Sequence, residues 1–276
     1  MSNITATDVN KLRKQTGAGM MDCKKALTEA DGDFEKAIEI IREKGQAVAK
    51  KRSEREASEG VVFAKTTPDQ KKGFIISLNC ETDFVGKNDD FVKLATQIID
   101  TAVEKQPDNL DELKQLQVDG KSIEENINYY TGIIGEKLQL SHYDHIEAPK
   151  VTAYIHMDNK LAALVGLNKE NTDQQVAKDI VMQVAAMDPV AVDKDSVPQD
   201  VVDKEYEIGK KQAQAEGKPE HILDRIAQGK VEKYMKENTL LNQEFIRDSK
   251  KTVREYLQEQ DKELTVVGFK YYSLKQ

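Results

Sequence analysis

Few side chains in this sequence are spaced for chemistry. His142-Tyr143-Asp144-His145 brings three potential metal ligands within four residues. A closed metal site also draws on ligands from elsewhere in the chain, and no distant partner stands out. Cys23 lies beside Asp22 and before Lys24-Lys25, whose charges would lower a thiol pKa. Cys80 precedes an acidic stretch. Small buried cysteines are far commoner than reactive ones. Carboxylates occur throughout, so spacing picks out no acid–base pair. There is no GxxxxGK(S/T) phosphate loop and no GxGxxG after a strand, so the chain itself is expected to bind no nucleotide. No metal and no cofactor are expected.

One segment remains. Thr82-Asp83-Phe84-Val85 sits in a loop rich in Asp and Asn, Asn79 to Asp90. A strand pattern precedes it (Gly73-Phe74-Ile75-Ile76-Ser77-Leu78) and a helical one follows (Phe91 to Ile99). An aromatic beside an acid on such a loop fits a wedge, with an apolar side chain to insert and a carboxylate to redirect polar contacts. The competing reading turns Phe84 inward as a plug for the strand–helix junction, as loops usually bury their aromatics.

The elements that must carry this loop follow from periodicity. Residues 1–46 read as three short helices. Thr7 is the expected cap of the first, with Val9 and Leu12 inward, and Thr16-Gly17-Ala18-Gly19 breaks the pattern. The second carries Met20, Met21, Ala26 and Leu27. Asp33 caps the third, with Phe34, Ala37, Ile38 and Ile41 at helical spacing. A charged, partly helical linker runs from Lys50 to Glu59. Two hairpin-plus-helix units follow. In the first, Val61–Ala64 pairs with the strand at Gly73; in the second, Val151–His156 and Leu161–Leu167 flank Met157-Asp158-Asn159-Lys160 before a helix from Val176 to Met187. Helices are expected near 109–118 and 122–138. A protruding antiparallel helical hairpin covers about 199–238, with Val201, Val202, Tyr206 and Ile208 facing Ile222, Ile226, Val231 and Tyr234. Glu263–Tyr272 reads as a returning strand. The fold class is α+β.

Bulk properties narrow the function. The 276 residues suffice for about two compact domains. A net charge of −8, with 33% charged residues, argues against direct nucleic-acid binding. The largest cationic cluster, Lys50-Lys51-Arg52, is diluted by Glu54, Glu56 and Glu59. Two cysteines without a CxxC suit reduced thiols. Met1-Ser2-Asn3-Ile4-Thr5 lacks a basic segment and an apolar run, and no stretch approaches the ~18 apolar residues of a membrane span. A cytoplasmic protein without membrane contact is expected.

Leu12-Arg13, then Thr16-Gly17-Ala18-Gly19-Met20-Met21-Asp22-Cys23-Lys24-Lys25-Ala26-Leu27, with Asp31-Gly32-Asp33 and Ala37-Ile38 downstream, resembles the N-terminal signature of the elongation factor Ts family. Thr82-Asp83-Phe84-Val85, ahead of a Lys and of Phe91, resembles its second signature. Both motifs are long, they occur in the family's order, and the resemblance covers essentially the whole chain. It implies a guanine-nucleotide exchange factor for elongation factor Tu, meeting that partner in its GDP-bound and nucleotide-free states and performing no covalent chemistry. It implies a ubiquitin-associated-like three-helix domain over 1–55, which grips the partner's nucleotide-binding domain through Leu12, Arg13, Met20 and Met21. Two α+β subdomains, 56–140 and 141–276, would follow, the second holding the hairpin. Thr82, Asp83, Phe84 and Val85 would form the wedge that dislodges Mg²⁺ from the partner. The second subdomain would touch the partner's other face, with Gln183 where many relatives place a contacting His. The hairpin region is linked to self-association in some members, so a homodimer is an expectation. The chain also ends soon after Tyr272, where longer members continue into a further helical module. Two other functions are open: a ubiquitin-associated-like adaptor using its first domain alone, and a thiol enzyme.

Overall fold

The computed structural model describes residues 4–156 and 158–274, so Met1 to Asn3, Met157 of the second turn, Lys275 and Gln276 lie outside the described residues. Helix α1 (Ala6–Thr16) is capped by Thr5, whose Oγ1 accepts the Asp8 N–H while the Asp8 carboxylate accepts the Thr5 N–H. The expected cap, Thr7, lies inside the helix instead: the reciprocal pair needs an acid three residues on, and only Thr5 has one there. Gly17, at φ 72°, ends the helix. Helix α2 (Met20–Glu29) follows, and then α3 (Phe34–Arg52), whose first turn donates to the Asp33 carboxylate. Leu12, Cys23, Ala26, Leu27, Ala37 and Ile41 bury one another among the three.

Strands β1 (Glu59–Thr66) and β2 (Lys72–Cys80) form an antiparallel hairpin. The single turn α4 (Asp83–Gly86) and helix α5 (Asp89–Lys105) come next. Then come α6 (Leu110–Gln115), the two-residue strands β3 (Gln117–Val118) and β4 (Lys121–Ser122), α7 (Ile123–Ile134) and β5 (Gln139–Glu147). The helix expected over 109–118 is therefore cut short by β3, and the one expected over 122–138 stops at Gly135, at φ 78°. Strand β5 pairs with β2, giving the order β1-β2-β5. Strand β2 is apolar on both faces because both are covered. Phe74, Ile76 and Leu78 meet Phe91, Leu94 and Ile98 of α5. Ile75 faces the other way, with Val62 and Ala64, onto Val151, Ala162 and Leu164 of a second sheet.

That sheet is built from β6 (Lys150–Ile155), β7 (Leu161–Leu167) and the last strand of the chain. After β7 come α8 (Gln174–Met187), the antiparallel pair α9 (Gln199–Ala215) and α10 (Glu220–Asn238), β8 (Glu244–Phe245), β9 (Asp248–Thr252), α11 (Val253–Gln260) and β10 (Val266–Ser273). The order is β10-β7-β6, so in each sheet the second strand of a hairpin lies in the middle. The chain is α+β. The seam of the helical hairpin agrees with expectation at Val231 and differs elsewhere. Gly209, Ala213, Leu223, Ala227 and Val231 are buried there, whereas Ile208 is exposed. Small residues win because the axes approach closely: a Cβ on Gly209 would lie 3.3 Å from Ala227 Cα. No helix among the described residues is long and apolar enough to cross a membrane.

Two joints fix how these parts sit. The first three helices dock on α7: Tyr129 and Ile133 pack into their cluster, and the Tyr129 hydroxyl donates to Thr16 O at 2.7 Å. Helices α3 and α7 meet at Gly45 and Gly132, where a Cβ on Gly132 would lie 2.0 Å from Gly45 Cα. Gly132→Ala must therefore push the helices apart. We expect a loss of about 1–3 kcal/mol, the usual cost of overpacking, read by urea denaturation. The two sheets are joined along β5 and β10. His142 stacks on Tyr272 at 4.1 Å, and Lys270 pairs with Asp144 at 2.8 Å. Strand alternation thus sends His142 and His145 to opposite faces, and His145 stacks with Phe74 instead. Burial lowers the His142 pKa, against the pull of Asp144 and with the help of Lys270. A depressed folded pKa contributes stability that is present above the unfolded value, about 6.5, and is lost as pH falls through the lower folded one. The melting temperature should therefore drop more steeply below about pH 6.5 in the native chain than in His142→Phe. Equal slopes would remove His142 from that account.

Candidate partner-binding surface

The loop after β2 is braced before it becomes a helix. Glu81 Oε1 accepts from Arg52 Nη1 at 2.7 Å and from the Lys137 N–H at 2.7 Å, and Oε2 accepts from Arg55 Nη1 at 3.0 Å. Burial acts to raise its pKa. The Lys137 N–H and the two guanidiniums outweigh that and hold it down at about 2. Thr82 donates its N–H and Oγ1 to the Glu136 carboxylate, at 3.0 and 2.8 Å. Beneath the loop, buried Cys80 donates its thiol hydrogen to Thr82 O at 3.1 Å.

The four residues of α4 then divide by direction. Val85 is half-buried and packs against the apolar core of the first sheet. Gly86 is buried against the backbone of Gly60. Phe84 points out and is 83% exposed, the highest value among the large apolar side chains of the described residues. Of the two readings of this aromatic, the inward plug is ruled out by that exposure. The Asp83 carboxylate accepts from Lys87 Nζ at 2.8 Å, and that bond holds its pKa below the usual range. Asn88 caps α5, so the turn cannot run on into the longer helix.

The remaining expected residues lie on other elements. Met20 and Met21 stand on the first turn of α2, 50% and 64% exposed, ahead of the buried stripe that begins at Cys23. Arg13 is exposed on α1, while its neighbour Leu12 is fully buried and serves the helical core. Gln183 is fully buried as well. Its amide nitrogen donates to Gln243 Oε1 and Glu244 O, at 3.2 and 3.1 Å, and its oxygen accepts the Ile246 N–H at 2.9 Å. One turn earlier on α8, buried Asp179 pairs with Arg247 at 3.0 Å. Together they hold the turn between β8 and β9, on which Ile246 is exposed. A polar pair spaced i, i+4 on an apolar helix was the available signal for that turn. The brace at Glu81 and Glu136 had no comparable signal.

Both thiols are buried. Burial raises the Cys23 pKa, and raises that of Cys80 to about 12 with the help of the Glu136 charge. Among the described residues no three His, Cys, Asp or Glu side chains are grouped to hold a metal ion.

Phe84 is thus an exposed aromatic on a braced turn, and comparison with known proteins places the chain in a class. The family described as Elongation factor TS matches residues 81–276. The elongation factor Ts of Porphyromonas gingivalis is 52% identical over 274 residues, covering 98% of each chain. That of Christiangramia forsetii is 49% identical over 275 residues, covering 99% of this chain and all of the relative. That of Bacteroides thetaiotaomicron is 42% identical over 329 residues, covering 99% of each. The chain belongs to the elongation factor Ts family. Its role is in translation elongation, a step of protein biosynthesis.

Proposed function

We propose that this chain is a guanine-nucleotide exchange factor for elongation factor Tu, with Thr82, Asp83, Phe84 and Val85 as the wedge that releases GDP. The observation that carries the reading is the outward Phe84, beside a carboxylate and on a turn tied to the core. Mg²⁺ demands near-ideal octahedral geometry and usually bridges phosphates to protein. A phenyl ring inserted between the partner's elements would shift the segments that hold the ion, and Asp83 would redirect their polar contacts. Thr82 and Val85 set the turn at its two ends. The factor makes and breaks no covalent bond of its own, takes no cofactor, and works in the cytoplasm.

The grip is divided between two places. Residues 1–55 form a ubiquitin-associated-like domain that presents Met20, Met21 and Arg13, with Leu12 supporting them from the core. The core falls into two α+β subdomains. They are 56–140 and 141–276, and β5, paired with β2, runs across that boundary. The second subdomain meets the partner's other face, and buried Gln183 acts there through the Ile246 turn it holds. The hairpin at 199–238 is the arm for self-association.

Linkage tests this reading. If the chain weakens GDP binding by some factor, GDP weakens the chain's binding by the same factor. Calorimetric titration of nucleotide-free and GDP-loaded elongation factor Tu should therefore give clearly tighter binding to the empty form. Equal affinities would refute exchange. The adaptor reading has the exposed methionines in its favour, and it predicts indifference to Phe84. The thiol reading meets two buried cysteines whose pKa values are raised, the wrong direction for nucleophiles. Cys23→Ser and Cys80→Ser should each leave the GDP release rate within about twofold, well under the ~1.4 kcal/mol that a tenfold change represents. A loss of activity in either would revive the thiol enzyme.

A further inference from the structure

Glu81 lies where segments distant in sequence meet. Three donors from two distant segments converge on it: Arg52 and Arg55 at and beyond the end of α3, and the Lys137 N–H beyond α7. The next residue returns the favour, since Thr82 donates twice to Glu136. Segments 81–82 and 136–137 therefore exchange carboxylates, and Lys137 Nζ closes onto Arg55 O at 2.8 Å. Glu136 and Lys137 follow α7, the helix that touches α3 backbone to backbone at Gly45 and Gly132. The result is a closed mechanical ring: α3 to α7 through the two glycines, α7 to the wedge root through Glu136 and Lys137, and the wedge root back to α3 through Glu81. The ring joins the helices that carry Met20 and Met21 to the turn that carries Phe84.

We infer that Glu81 is a positioning residue that makes the first three helices and the Phe84 turn one rigid body, so that a partner gripped by the former is met by the latter at a fixed place. This rests on the exchange reading. Binding at two contact points costs less when their spacing is set beforehand, because ordering is not charged at the moment of contact. A wedge must also push against something, and a turn free to recoil would move itself and leave the partner's segments where they were. Glu81 touches neither nucleotide nor metal in this scheme.

The test is Glu81→Gln, which keeps the shape of the side chain and removes its charge. Release of labelled GDP from elongation factor Tu is followed against the concentration of the full chain. We expect the maximal acceleration to fall about tenfold while the half-saturating concentration stays within about threefold, since each contact survives and only its aim is lost. Mere destabilisation would do the opposite, lowering the active fraction and raising the half-saturating concentration. In a Phe84→Ala background, Glu81→Gln should add less than about twofold, because there is no wedge left to aim. An equal loss in both backgrounds, or no change in the maximum, would overturn the inference. Amide hydrogen exchange of the free chain separates this from the functional reading. The Thr82 to Gly86 and Lys137 amides should exchange at least about tenfold faster in Glu81→Gln, with Phe74 to Leu78 unchanged. Unchanged exchange at Thr82 and Lys137 would overturn the brace whatever the activity. A native chain that fails to accelerate GDP release would overturn the exchange reading instead.

Discussion

Phe84→Ala should slow the exchange reaction by about ten- to a hundred-fold and leave the folded chain as stable as before. The two halves of that expectation rest on one exposed ring. At 83% exposure the ring contributes little to this chain's own core, so its removal leaves no cavity. Its full burial in a partner would supply roughly 1.5–3 kcal/mol, which is about ten- to a hundred-fold in rate if the contact forms only as GDP departs. Core aromatics behave in the opposite way. Phe91, fully buried against β2, should cost about 3–5 kcal/mol as Ala and take activity down with the fold. An 84 variant that loses stability, or one that exchanges normally, would contradict the outward wedge.

Gly60→Ala should produce the largest structural effect outside the apolar core. Gly60 pairs with Asn79 at the start of β1, at φ 140°, a conformation closed to side chains. A Cβ there would lie 2.1 Å from Leu78 O and 2.7 Å from Asn79 Cα, and both belong to the central strand of the sheet. Backbone strain of about 1–3 kcal/mol and overpacking of about 1–3 kcal/mol act together. We expect roughly 2–5 kcal/mol of lost stability by urea denaturation. The same glycine is the floor under Gly86, and its carbonyl accepts from Lys160 Nζ at 3.1 Å. Folded Gly60→Ala should therefore also exchange slowly, because the wedge turn rides on the displaced segment. Native stability in this variant would mean that β1 pairs with β2 in some other register.

What could be read in advance, and what could not, follows from the range of each signal. The strand at Gly73–Leu78 and the helix from Phe91 were legible because their periods differ, and the acid–aromatic pair between them stood out against a polar loop. The direction of Phe84 was not legible locally. It depends on how Val85 and Gly86 pack, and on Gly60, more than twenty residues upstream. The cap at Thr5 was missed because two threonines sit in reach and only the later Asp8 separates them. Apart from Val231, the hairpin seam was misplaced for a different reason. Counting Val and Ile favours bulky stripes, whereas closely packed helices select Gly209, Ala213 and Ala227. Gln183 was reached only through the family resemblance, and its inward direction depends on the Gln243–Ile246 turn sixty residues later. The brace had no local trace. Glu81 and Glu136 are two of 49 acidic residues, joined only by the folding of segments more than fifty positions apart.

The central claim is exchange, and the most direct measurement is the release of labelled GDP from purified elongation factor Tu, with Mg²⁺ and excess unlabelled nucleotide present. Added at saturation, this chain should accelerate release well beyond the spontaneous rate and be recovered unchanged to act again. A folded chain that binds the partner and leaves the release rate at its spontaneous value would contradict the account and leave the adaptor in its place.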